Sequence, residues 1–555
     1  MPDGSAADVK LQLRIVVAVF FSAAAGVVAA PGDVRNSLDA AHLGLHDGAE
    51  FRLVDGTCAD CPTIPQALWY FRGDVIAVPR DAATGFTHTR TAQDDVRAWV
   101  ASNPDGDGTK PPLLWIGSPQ IVDGARLLDG GLALLGADGS RLVFSLTNKI
   151  DSNRSYFDAS SARHFAGRRL KLRGRMEGDR FVARTIWPED SALDFASLPY
   201  RPLASGETLA ALVRSEGGGA RSPPAARVLW ARDPKEMRAW AGKPVLAVML
   251  NGAQGDDDEA HAGHFAIATG AFGRAGQWDD WLVNNFYNLD AFSEKGIIAA
   301  TVTMDSYLTD LNSGQSWYRP SYLLIAVLKQ ERVAAIYQQA IGRVYNHFYR
   351  HDFIYRQTIA NCAGISMQTL RSLGWKIPEL GPIGRVKAVV ALPYKAIKEM
   401  NIESGRQAYD YLVTEQTDLL PFAAFDAAGR DLLGRIAGGG PSGTRYESML
   451  RDDIEAVIFV RIPQIPSSRA FGQAPVQSID EYNDRVPGDK SQWKIIPVAP
   501  RPFPVAMKDA DAPRDRSLPS LYALYAYGVV ILLCGIGVGR HRAGRHRRRS
   551  VPAPE

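Results

Sequence analysis

The sequence predicts an α+β protein of more than one domain. A small β-rich, barrel-like domain comes first, a larger α+β domain follows, and a transmembrane helix lies near the C-terminus. Three observations point that way. Residues 48–200 contain short runs of alternating apolar and polar residues divided by Gly, Asp and Pro, the pattern of half-buried strands. From Val228 onward, strand-like runs alternate with stretches in which apolar residues recur every three or four positions, as on a helix face. Leu518 to Gly539 carries no charge, and a helix of that length crosses ~30 Å of hydrocarbon at ~1.5 Å per residue.

Size and charge narrow the class. A chain of 555 residues is too long for one ordinary core. Its 46% hydrophobic and 22% charged residues are an ordinary globular balance. The net charge is +3, and the tail "RHRAGRHRRR" (Arg540–Arg549) holds six arginines. Setting those six aside leaves −3 on the body, which argues against a nucleic-acid partner.

The elements read in order. Residues 1–29 have the form of a signal peptide: Lys10 and Arg14 precede the apolar "IVVAVFFSAAAGVVAA", with a cleavage site near Ala29; an uncut anchor is the alternative. Residues 30–200 form the β-rich domain, read as a small barrel of OB or SH3 type. Its "LKLRGRMEGDRFVARTIW" predicts a hairpin turning at Gly178-Asp179. Residues 201–227, with "SEGGGARSPPAAR", read as a linker. Residues 228–500 read as the α+β domain. "PVLAVMLNG", "HFAIATGAF" and "WLVNNFYNL" are its strands, and "YLLIAVLKQERVAAIYQQAIGRVYNHFY" reads as one long helix. Residues 501–517 are a proline-rich spacer, 518–539 the span and 540–555 a basic tail. The basic tail places the C-terminus in the cytoplasm. The expected protein is thus a single-pass inner (cell) membrane protein with a periplasmic or otherwise extracytoplasmic body.

Such a compartment is oxidising, which bears on the four cysteines. Cys534 lies in the span as a small apolar residue. Cys58 and Cys61, in "CADC", read as a disulfide in preference to a redox pair or half a zinc site, since no second CxxC completes one. That leaves Cys362 unpaired.

Cys362 lies in "FIYRQTIANCAGISMQTLRSLGW". Asn361 suits an N-cap and Gly374 the position after the last turn, so Cys362 falls in the first turn of a helix. There the helix dipole and free amides are expected to lower the thiol pKa and to stabilise an oxyanion. A packing role for a small buried cysteine is the alternative. A thiol nucleophile needs a base. "DDDEAHAGHFAIATG" offers His261 and His264 before and at the start of a strand, and "WLVNNFYNL" offers Asn284 and Asn285 to orient the ring. His347 and His351, in "NHFYRHDF", are weaker candidates.

"GHFAIATG", then "WLVNNF", then "YNHFYRHDFIYRQTIANCAG" resembles, in order and type, the permuted papain-like group related to NlpC/P60 and LRAT proteins. The nearest resemblance is to the DUF4105 family (Lnb N-terminal periplasmic domain). It covers roughly Val245 to Trp375. The resemblance implies a papain-like α+β domain in which Cys362 is the nucleophile, His264 the base and Asn285 the orienting residue. The implied enzyme is a cysteine hydrolase or acyltransferase for an amide or ester bond of an envelope component (peptide, lipid or lipoprotein). No cofactor and no metal is called for. The departure is "NCAG", where that family tends to have Thr after the Cys. Two other readings stand beside it. One is a metal-dependent hydrolase using Asp256, Asp257, Asp258, Glu259, His261 and His264. The other is a non-enzymatic envelope scaffold with a degenerate papain-like part.

Overall fold

The computed structural model describes residues 34–39, 42–81, 85–128, 131, 133–147, 157–215, 224–234, 239–253, 262–289, 298–438, 443–466, 475–485, 488–489 and 503–508. The signal-like segment, the span 518–539 with Cys534, the basic tail, most of the proline-rich spacer, His261 and Asp256–Glu259 lie outside the described residues.

The strands of the N-terminal part are β1 (Val34–Asn36), β2 (Phe51–Asp55), β3 (Val75–Pro79), β4 (Leu114–Trp115), β5 (Gln120–Leu127), β6 (Ala133–Leu135), β7 (Arg141–Leu146), β8 (Leu170–Glu177) and β9 (Arg180–Pro188). Those that follow are β10 (Ala225–Ala231), β11 (Pro244–Asn251), β12 (His264–Ala271), β13 (Leu282–Asn285), β14 (Ala300–Thr303), β15 (Ser321–Leu328) and β16 (Ile454–Ile462). They make two sheets. One runs β1-β5-β6-β7-β9-β8, and β5 also pairs with β8, so the sheet closes on itself. The other runs β10-β16-β15-β11-β12-β13-β14-β4-β3-β2.

The expected fold class is therefore corrected. The chain is mixed α/β, built on two large sheets: six N-terminal strands do close on themselves, but the rest of the N-terminal part is not a domain separate from the α+β part that follows. Strands β2, β3 and β4 come from the N-terminal 200 residues, yet they extend the ten-stranded sheet, β4 pairing in parallel with β14 at Val302↔Trp115. Ile76, Val96, Trp99 and Trp115 accordingly share one core with Val248, Ile267, Val344 and Leu370. Among the described residues, no helix is long and apolar enough to cross a membrane. Inside the segment read as a linker, Leu209–Ser215 is a helix whose Leu209, Leu212 and Val213 are buried. The physical reason is that short alternating strands report a half-buried face but not which sheet supplies the partner.

The single long helix expected from Tyr322 to Tyr349 is also corrected. Ser321–Leu328 is strand β15, buried throughout, and the helix starts only at Arg332. A short apolar run buried on both faces has no period that separates strand from helix.

The closed sheet is fastened to the ten-stranded one by buried charge. Lys171 donates to Asp279 (2.7 Å) and Asp280 (2.6 Å), and Arg173 to Asp305 (2.6 Å) and Asp280 (2.8 Å). Arg184 donates to Asp310 at 2.6 Å. Trp317 and Tyr318 enter the apolar core of the closed sheet beside Phe165 and Phe181.

Candidate active site around Cys362

The cysteine helix spans Cys362–Leu373. Asn361 caps it: Oδ1 accepts from the Ala363 and Gly364 amides, each at 3.0 Å. Its Nδ2 donates to the carbonyls of Gln357 (2.9 Å) and Leu419 (2.8 Å). Asn361 thus ties the helix start to the loop before it and to the chain 58 residues later. Gly374, in the left-handed region at φ 103°, ends the helix.

The Cys362 side chain is 3% exposed. The backbone amides of Phe265 and Ala363, the Tyr355 hydroxyl and the Arg319 cation stand around its sulphur and favour the charged form, the Ala363 N–H itself donating to Asn361. Strand pairing explains the first contact. The β12–β13 register ends at Ile267↔Asn284, so β13 leaves the Phe265 amide unpaired and the helix start meets it. Burial nevertheless dominates and pushes the thiol up, although these donors and Arg319 favour the thiolate. The expected lowering by the helix terminus is corrected: removing the sulphur from water costs more than the helix start returns.

His264 is the first residue of β12 and is buried. Gly263 before it sits at φ 88°, and a Cβ there would stand 2.5 Å from the Asn251 carbonyl oxygen. Only glycine permits that approach, and it lets His264 pair with Asn251 across the sheet. Burial pushes the imidazole down to about 3, Arg319 adds to the depression and Asn285 opposes it. The ring is therefore neutral at ordinary pH.

Continuing the β12–β13 register by one step puts Asn285 opposite Ala266, diagonal to His264 on the same face. His264 Nε2 and Asn285 Oδ1 are both buried, and neither has a hydrogen-bond partner among the described residues. Asn285 Nδ2 donates to the Ile298 carbonyl, and the Asn285 backbone carbonyl accepts from Tyr345 at 3.1 Å. Asn284 faces the other way, donating to Gln338 (3.3 Å) and accepting from Thr301 (3.0 Å). It is part of the packing beneath the Arg332–Tyr349 helix.

Three site residues were not found from sequence. Tyr307 lies with its ring 6.3 Å from that of His264, and its hydroxyl donates to Asn251. Arg319 is buried, donates through Nε to Gln315 at 3.0 Å, and acts on His264, Cys362 and Tyr307 alike. Tyr355 donates to the sulphur. Only tertiary folding gathers them, and the residues around Arg319 and Tyr307 carry no motif that marks them.

The remaining candidates have other roles. His347 is held between Asp352 (Nδ1, 2.6 Å) and Asp95 (Nε2, 3.1 Å). Burial would lower it, but the two carboxylates win and raise it. Asp95, though buried, is held at about 2 by His347 and Arg343. His351 stacks on Phe503, centroids 4.2 Å apart, and on Tyr70 at 5.8 Å. Cys58 and Cys61 form a disulfide, with an Arg52 Nη 3.8 Å from each sulphur. Asp279, Asp280 and Asp305 converge as a metal's ligands would, but Lys171 and Arg173 already supply the countercharge.

A buried neutral thiol and a buried neutral imidazole thus stand on two packed elements, and the buried Arg319 cation acts on both. No family model matches the chain, and neither a curated protein nor a solved structure matches it.

Proposed function

We propose that the protein is an extracytoplasmic thiol hydrolase or acyltransferase acting on an amide or ester bond of a cell-envelope component. One observation carries this reading. The helix that starts at capped Cys362 packs on the strand that starts at His264, with the amide of the next residue, Phe265, beside the sulphur. The order of a His-bearing strand before a Cys-bearing helix, shared with the permuted papain-like group, supports the same chemistry. The Cys58–Cys61 disulfide supports an oxidising compartment.

In the proposed reaction His264 takes the Cys362 proton as the sulphur attacks the acyl carbon. The tetrahedral intermediate collapses to a thioester, and the departing amine or alcohol takes the proton from His264. Water, or an acceptor amine or alcohol, then cleaves the thioester and regenerates the thiol. Asn285 holds the ring. The Ala363 amide is engaged by Asn361 Oδ1, so the oxyanion role falls to the Cys362 amide with help from Arg319.

A second reading is favoured by the burial of the thiol and its upward shift: a binding protein in which Cys362 is a packing residue. Acylation by a small activated ester separates the two. Mass spectrometry should find the acyl group on Cys362, and His264→Ala should slow its arrival about 100-fold or more, the scale of general-base assistance. Equal rates in wild type and His264→Ala, or acylation elsewhere only, would leave the packing reading standing.

A further inference from the structure

We propose that the outer face of the Arg385–Lys398 helix docks on an anionic lipid surface. This rests on a different part of the molecule from the Cys362 reading and stands or falls separately. Val386 is 82% exposed, Val390 65%, Tyr394 60% and Ile397 71%. At steps of four, four and three residues they form one stripe along the helix. Met400 (90%) and Ile402 (52%) continue apolar surface around the turn that follows.

The stripe is not needed for the local fold. The opposite face, with buried Ala388, packs on the Ile402–Val413 helix. The two helices approach at Gly405, where a Cβ would stand 2.4 Å from the Leu392 carbonyl oxygen and 2.8 Å from the Ala396 Cβ. The hairpin is closed through its inner side, and the apolar outer side faces water.

Charge identifies the occupant. The helix carries Arg385, Lys387, Lys395 and Lys398 and no acidic residue. At 100° per residue, Lys387 and Lys398 border the stripe on one side and Arg385 lies on the other. Lys398 Nζ is 5.7 Å from the Tyr394 ring centroid, at the edge of the stripe. Glu399, just past the helix, pairs with Lys395 at 2.9 Å, on the face away from the stripe. An exposed apolar stripe flanked by basic residues alone is the composition of a helix lying in a bilayer interface rich in anionic headgroups. A second copy fits worse, because a two-fold contact through this face would set the basic flanks of both copies against each other. Docking would bear on the site from outside: Thr414, just after the hairpin, donates to the carbonyl of Thr358 at 2.7 Å, in the loop that leads to Cys362.

The test places an environment-sensitive fluorophore at Val390→Cys in the full chain carrying Cys362→Ser and Cys534→Ser, so that only the new thiol reacts. Vesicles of phosphatidylcholine containing phosphatidylglycerol should shift the emission to the blue. Phosphatidylcholine alone should shift it much less, high salt should reverse the shift, and Ile397→Asp should abolish it. The same label at Arg141→Cys, on β7, should stay unshifted. Because the probe reports only its own surroundings, attachment through another segment does not mimic this result. The proposal is overturned if anionic vesicles leave the emission unchanged, if neutral vesicles shift it equally, or if the Arg141 label shifts alike. Blue emission before vesicles are added would also overturn it, showing another part of the chain on the stripe. A shift that grows with protein concentration alone would identify a second copy or protein partner instead.

Discussion

The backbone amide of Phe265 stands against the sulphur of Cys362, so the residue after His264 lies beside the first residue of the cysteine helix. Neither element makes the contact by itself. The amide is available because β13 departs after pairing Asn284 with Ile267, and the sulphur arrives because Asn361 anchors the helix start to Gln357 and Leu419.

The thiol should be sluggish in the folded protein. Burial pushes Cys362 up, while the Tyr355 hydroxyl and Phe265 amide favour its thiolate. Alkylation of native protein near neutral pH should be about tenfold or more slower than in denaturant, since the thiolate is the reacting form. Tyr355→Phe should raise the apparent thiol pKa further. A native thiol that titrates below an ordinary cysteine would show that the helix start and Arg319 outweigh burial.

His264 should make the folded state sensitive to mild acid. Its imidazole is held at about 3 when folded, against an unperturbed 6.5. Above 6.5 neither state binds the proton. Below it the unfolded chain takes up a proton that the folded chain refuses, so stability falls as pH drops from 6.5 towards 3. Denaturant midpoints at about pH 7 and about pH 4 should therefore differ less in His264→Gln than in wild type. His347, whose pKa is raised, acts with the opposite sign and is unchanged in that comparison. An identical pH dependence in both proteins would contradict a proton-free buried His264.

Arg173→Met should destabilise strongly. Arg173 is fully buried and binds Asp305 and Asp280, both on the far side of the contact between the two sheets. Removing it strands buried negative charge, at a cost of roughly 3–5 kcal/mol. Arg173→Met with Asp305→Asn should cost less than the sum of the two single changes. Additive losses measured by urea unfolding would mean that the pair does not act as a unit.

Much of the candidate site was legible. The capped helix start at Asn361-Cys362, the strand beginning at His264 and the neighbouring strand holding Asn284 and Asn285 follow from local rules of capping and alternation. The two asparagines illustrate the limit. Adjacent residues on a strand face opposite sides: Asn285 lies diagonal to His264, while Asn284 serves the packing under the next helix. His347 stands in an aromatic, basic stretch of sequence, and its two carboxylate partners are 5 and 252 residues away. The second of these no local pattern reveals.

The sequence by itself determined the elements that periodicity and capping encode: the buried strands around Val245–Ala271, the hairpin at Gly178-Asp179 and the Cys362 helix with its cap. Only the tertiary structure decided which sheet each N-terminal strand joins. Only it placed Arg319, Tyr307 and Tyr355 around the thiol, and only it set the sign of the thiol's shift. Capping and alternation are short-range interactions, written within a few neighbouring residues. Desolvation and charge pairing depend on what stands within a few ångströms in space, and Phe265 and Cys362 come that close across almost a hundred residues of chain.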